Sequence, residues 1–143
     1  MSPDMMELAE RAKAIELEYK RKYGRSFGIT GELGELYGAA LLGLALAERR
    51  NQPGYDATDD DDGVKYQVKA RCQGVRVGKF KDEPQLEWDQ GLFVEMDESL
   101  AVVAIWKHGR ERIRDLQEIE NGKGIRIQRF KEGIEPLWER CQV

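Results

Sequence analysis

Apolar residues recur at helical spacing in two early stretches, and further along the chain the period shortens to two. Met5, Leu8, Ala12, Ile15, Tyr19 and Tyr23 form one stripe, predicting a helix over about residues 4–23. Ser2 can cap its start, Pro3 suits its first turn, and Gly24 is a stop signal. Thr30 is the candidate cap of a second helix, with Glu32 in its first turn and Leu33, Leu36, Tyr37, Ala40, Leu41 and Leu44 as its buried face. Gly34 and Gly38, four apart, would let that helix sit close to a sheet. It stops at Gly43 or runs on toward Glu48; both ends stay open. Asn51-Gln52-Pro53-Gly54 reads as a turn.

Next comes a hairpin: Tyr55 to Thr58, a turn over Asp59 to Gly63 closed by Asp62-Gly63, and a strand from Val64 to Gln73. Gly74 to Gln85 has no period and is expected to be a mobile loop. Gly91 to Met96 and Ser99 to Trp106, joined by Asp97-Glu98, read as an antiparallel hairpin. Arg112 to Ile119 reads as a short helix ended by Asn121-Gly122, and Gly124 to Phe130 alternates like an edge strand. Leu137-Trp138 should pack back on the core. The expected fold class is α/β: a mixed four- or five-stranded sheet with the second helix on one face, in a single domain over 1–143 that carries an added N-terminal helix.

Composition narrows the function classes. The chain has 143 residues, 41% hydrophobic and 35% charged, as in soluble globular proteins. Its longest apolar run, within Ala39 to Ala47, is too short to span a bilayer, and MSPDMMELAERAK lacks a signal peptide's apolar centre. The expectation is a cytoplasmic protein with no membrane partner. Cys72 and Cys141 make neither a CxxC nor a zinc spacing and are expected to be reduced. His108 is the only histidine and has no nucleophile motif nearby, which argues against a serine or cysteine triad. No phosphate-binding G-x-x-x-x-G-K-[ST] is present. The acidic run Asp59 to Asp62 lacks the glycine that an EF-hand requires at its sixth position, so it reads as a solvated turn.

The net charge of −4 counts against nucleic-acid binding by bulk charge. The cations are unevenly spread, however: Arg49 and Arg50, then Lys65, Lys69, Arg71, Arg76, Lys79 and Lys81, then Arg110, Arg112 and Arg114. A basic face can therefore survive an acidic total. Trp106 and Trp138 are expected in the core, and Trp88, beside a polar loop, is the one placed to stack on a base.

The chemistry concentrates in Gly54 to Arg71, GYDATDDDDGVKYQVKAR. Gln67 and Lys69 lie two apart on a strand and share a face with Lys65 and Arg71, while Tyr66, Val68 and Ala70 point toward a core. A tight turn would bring Asp56 close to Gln67 and Lys69. Two oxygen ligands and a lysine at a sheet edge suit a hard cation and a water nucleophile.

This arrangement resembles the PD-(D/E)xK nuclease superfamily, whose fold is restriction-endonuclease-like. The family pattern is an acidic residue, a gap, then acidic-x-Lys. Here Pro53-Gly54-Tyr55-Asp56 stands for the Pro-Asp dipeptide, and Gln67-Val68-Lys69 is a Q-x-K variant. Glu35, counted from Gly31, matches the glutamate of the family's G-x-x-x-E helix, with Glu32 as the alternative. The resemblance runs from about Thr30 to Trp106 and extends to an uncharacterised group of small bacterial proteins. It implies catalytic roles for Asp56, Gln67, Lys69 and Glu35. The implied ligands of Mg²⁺, or of Mn²⁺ in its place, are Asp56, Gln67, Glu35 and the Val68 carbonyl. Lys69 would orient the attacking water or stabilise the transition state. The implied activity is endonucleolytic hydrolysis of DNA, with Lys65, Arg71, Arg76, Lys79 and Lys81 as candidate nucleic-acid contacts and a homodimer as the working form. The alternative is a catalytically silent nuclease fold that binds DNA or a protein partner.

Overall fold

The computed structural model describes residues 2–48 and 54–141. Arg49, Arg50 and most of the turn expected at Asn51-Gly54 fall outside the described residues. Helix α1 (Pro3–Tyr23) begins where Ser2 accepts the Met5 N–H at 3.4 Å and ends at Gly24, whose φ of 69° gives the left-handed cap expected of glycine. Its buried face differs from the expected one. Ala9 and Glu16 are fully covered, whereas Leu8, Ile15 and Tyr23 are 53%, 58% and 65% exposed. The expected stripe splits: Met5 and Ala12 pack with Ala9 on the core, while Leu8, Ile15 and Tyr23 face outward. Glu16 tolerates burial because its carboxylate accepts the Ser26 hydroxyl and the Phe27 N–H, closing the turn that follows α1.

Helix α2 (Thr30–Leu42) ends at Gly43 with φ 70°, which decides between the two expected ends. It lies flat on the sheet because two glycines remove the side chains that would hold it off. A Cβ on Gly34 would fall 2.1 Å from the Cβ of Ala70, and one on Gly38 3.3 Å from Val94.

The sheet has six strands among the described residues, in the order β1 (Ala45–Leu46), β2 (Ala57–Thr58), β3 (Lys65–Arg71), β4 (Gln90–Met96), β5 (Val102–Gly109) and β6 (Trp138–Glu139). All neighbours are antiparallel except β3 and β4. The count exceeds the expected four or five because two-residue strands extend both edges, too short to register as a period. The β2–β3 and β4–β5 hairpins fall where the alternation places them. In the first, Asp59 N–H donates to the Val64 carbonyl and Gly63, at φ 75°, turns the chain back.

A parallel pair cannot be joined by a tight turn, so residues 72–89 must travel the length of the sheet. They do so without a helix, across the face opposite α2. This segment is not the free loop expected from its composition: Val77, Phe80 and Trp88 are among the most buried side chains in the protein. Trp88, expected at the surface, is covered by Phe80 at 5.8 Å and by the Arg110 guanidinium at 4.8 Å.

Helix α3 (Arg110–Ile119), one half-turn longer than expected, packs Ile113 and Leu116 over the same face. The edge strand expected over Gly124 to Phe130 does not form. Arg126 makes a single bridge to Arg76, and the chain then turns into helix α4 (Ile127–Lys131), which buries Phe130. Alternating polarity there reflects a short amphipathic turn. Two apolar clusters thus flank the sheet, one under α1 and α2 and one under the crossover, α3 and α4. Trp138 packs on the first of them, while Leu137 stays exposed. No helix among the described residues is long and apolar enough to cross a membrane.

Candidate metal centre

Asp56 stands immediately before β2, where the short strand runs out. Its backbone N–H donates to the Tyr66 carbonyl at 2.7 Å. Its side chain then does what a longer β2 would have done, since Oδ2 accepts the Val68 N–H at 2.7 Å. The N–H and C=O of one strand residue point to the same edge, so the Val68 carbonyl also faces Asp56's side of β3.

Glu35 reaches the same place from α2. Its carboxyl is hydrogen-bonded to that of Asp56, a contact that requires a proton or a cation between them. Burial pushes the Asp56 carboxyl above its ordinary pKa, against the Val68 hydrogen bond and the attraction of Lys69, Glu35's hydrogen bond and Lys81. Burial likewise pulls the Lys69 ammonium below its ordinary pKa; Asp56 and Glu35 oppose that shift, and Lys81 and Arg71 add to it. Two carboxyls and the Lys69 ammonium therefore share one half-dry edge, with the exposed Lys81 in electrostatic reach. Glu32, the alternative to Glu35, is exposed in the first turn of α2.

Gln67 is 96% covered, and its amide is spent on the crossover. Oε1 accepts the Lys81 N–H at 2.8 Å, and Nε2 donates to the Lys81 carbonyl at 3.0 Å. That leaves one lone pair on the oxygen. Among the described residues no three His, Cys, Asp or Glu side chains converge as a metal-ligand group. The donor set at this edge is two carboxylates supplemented by neutral oxygens. Such a set fits Mg²⁺, which takes one or two carboxylates and keeps several waters.

The expected basic contacts separate. Lys81 alone joins the cluster, its charge felt by both Asp56 and Lys69. Arg71 is exposed one step along β3, and Lys79 is exposed beside Lys81. Lys65 is engaged with Glu87 at 3.3 Å and lies over the Tyr55 ring. Arg76 is committed to structure, donating to Glu120 and to the Gly124 carbonyl, both at 2.7 Å. His108 sits on the far face, bonded to the Phe130 carbonyl at 2.7 Å, away from any nucleophile. Sequence reasoning placed Lys81 among surface contacts because its route into the site runs through the crossover, which no local pattern announces. Neither a protein-family model nor a curated protein matches the chain.

Proposed function

We propose that this protein is a metal-dependent phosphodiesterase acting on nucleic acid, most simply a DNA endonuclease with a restriction-endonuclease-like fold. One observation carries the reading: Asp56 and Glu35, from separate elements, meet as a hydrogen-bonded carboxyl pair beside Lys69 at an open strand edge. Holding two carboxyls together in a partly dry place works against folding unless a cation is to be bound there. The ligands would be Asp56, Glu35 and the Val68 carbonyl, with the remaining lone pair of Gln67 as the weakest donor. When bound, Mg²⁺ or Mn²⁺ would activate water and polarise the phosphodiester. Asp56 and Glu35 fix the ion's place against β3. Lys69, held below its ordinary pKa, can orient the attacking water or offset charge on the phosphorane-like transition state.

A second reading has its own support. The engaged amide of Gln67 stands where the family has an acidic ligand, which favours a fold that binds DNA without cutting it. Cleavage of plasmid, linear, branched and single-stranded substrates with Mg²⁺ or Mn²⁺ separates the two. The nuclease reading expects cutting that is lost in Lys69→Ala and Asp56→Asn. Binding without cutting by well-folded wild-type protein supports the silent module instead.

Cutting both strands of a duplex would take two copies. The outward residues of α1 offer a surface, since Leu8, Ile15 and Tyr23, with Phe27 just after the helix, make up four of the seven exposed large apolar side chains among the described residues. Its first turn carries Asp4 and its last Lys20, Arg21 and Lys22, so antiparallel pairing of two copies sets opposite charges together. Sedimentation should show a dimer that Ile15→Glu dissociates; a monomeric wild type would refute the pairing.

A further inference from the structure

Lys81 reaches the site by an unusual route. Residues 78–82 have no regular secondary structure, yet Gly78, Phe80, Lys81 and Asp82 are each tied down. Gly78 lies against the Lys69 side chain, where a Cβ would come within 3.3 Å of its Cδ. Phe80 is fully buried, and Gln117 of α3 grips its backbone, Oε1 accepting the N–H at 2.8 Å and Nε2 donating to the carbonyl at 3.2 Å. Gln67 grips Lys81 in the same two-point way from β3. Asp82 is held by Arg110 and Arg114. Two glutamine amides, from opposite sides, thus supply the hydrogen bonds that a neighbouring strand would have given. The orientation of each amide is dictated by the chemistry, because a backbone N–H must meet oxygen and a carbonyl must meet NH₂.

Resting on the nuclease reading, we propose that Gln67 is a positioning residue. Its amide straps the Lys81 backbone and so holds the Lys81 ammonium within electrostatic reach of Asp56 and Lys69, from where it contacts a non-bridging oxygen of the substrate phosphodiester. The side chain itself remains exposed, and it also lines a cleft of about 570 Å³ between this segment and α3, whose walls carry Lys79 and Arg114 together with Asp82, Glu83 and Glu118. The strap accounts for the residue type at position 67. A glutamate could accept the Lys81 N–H but would turn its second oxygen against the Lys81 carbonyl. An amide satisfies both groups, which an ionised carboxylate does not. The acidic ligand of the family pattern is given up, and a second ammonium, brought in by the crossover, takes over part of the charge stabilisation.

The test compares Lys81→Ala, Lys81→Arg, Gln67→Met, Gln67→Glu and the double variant Gln67→Met/Lys81→Ala. It follows Mg²⁺-dependent cleavage of a DNA oligonucleotide, its binding by anisotropy in Ca²⁺, and amide exchange at Phe80 and Lys81. Lys81→Ala should lower kcat/KM by about 100-fold, with Lys81→Arg retaining most of it. Gln67→Met should reproduce the Lys81→Ala loss, and the double variant should be no worse than either single one. Gln67→Glu should also lose activity and exchange faster at Lys81 than wild type, while Phe80 keeps its protection. A Gln67→Glu protein that cuts better or binds Mg²⁺ more tightly would overturn the proposal, as would single losses that multiply. Exchange is read without metal or substrate. If wild type neither cuts nor binds the oligonucleotide, the nuclease reading and the Lys81–phosphate contact fall together. The exchange data then still decide whether the strap exists.

Discussion

Around the crossover and the β2–β3 edge, the protein carries partly or fully buried acidic groups in two contrasting settings. Asp82 and Glu120 are surrounded by arginine. Asp82 accepts from Arg114 at 2.6 Å and from Arg110 at 2.8 Å, and Glu120 from Arg76 and Arg129 at 2.7 Å each. The Arg114 guanidinium, then Arg110, holds the Asp82 carboxyl below its ordinary pKa, and Arg76, then Arg129, does the same for Glu120. Asp56 is the opposite case, with a second carboxyl as its hydrogen-bonded neighbour, burial as the dominant influence and a raised pKa. The first two groups staple α3, α4 and the crossover together. The third is held where it weakens the fold. A carboxylate kept at a cost to stability marks a site better than a carboxylate count does.

The contrast can be broken most forcefully at Asp56. Asp56→Asn should lower metal-dependent cleavage by about 100- to 1,000-fold. It should also raise the melting temperature in metal-free buffer, because an amide can accept from Val68 and donate to Glu35 without a buried charge. A lower melting temperature would show that Asp56 is a structural partner instead. Asp82→Asn should do the reverse for stability, costing on the order of 1–3 kcal/mol in chemical denaturation. It leaves two arginines with one neutral oxygen in place of a charged pair, and sets an NH₂ against a guanidinium.

The same contrast should appear in the pH dependence. Asp56 titrates higher in the folded state than in the unfolded one, so the folded state holds more protons between the two values. Stability from this group therefore falls as pH rises from the ordinary carboxylate range through the raised value. Asp82 and Glu120 have depressed values. Their contribution is complete above the ordinary carboxylate pKa and is lost as pH falls through the folded values. Melting curves from about pH 3 to about pH 7 should show Asp56→Asn gaining most at the neutral end, and Asp82→Asn converging on wild type at the acid end. Glu120→Gln should give the smallest change, since its partners Arg76, Arg126 and Arg129 are 31%, 65% and 41% exposed and water screens them.

Local patterns were enough to read α2, the two hairpins and the convergence of Asp56 with Lys69. Each depends on neighbours a few residues apart: a glycine every four residues for close packing, a six-residue turn between β2 and β3, alternation along a strand. Ser2 and Gly24 bounded α1 correctly for the same reason. What escaped sequence reasoning was decided at long range. Which side of α1 is buried depends on the surface it meets, and Ala9 and Glu16 won over Leu8 and Ile15 because small size and satisfied hydrogen bonds allowed the closer fit. The parallel pairing of β3 with β4 forces the chain across the sheet's second face. That crossing turns a polar, periodless segment into core around Phe80 and Trp88, occupies Gln67, and brings the Lys81 charge within reach of Asp56. A glutamine two residues from a lysine has the same spacing whether its amide meets a metal ion or a backbone. Only tertiary structure sets the partner, because side-chain hydrogen bonds follow proximity in space.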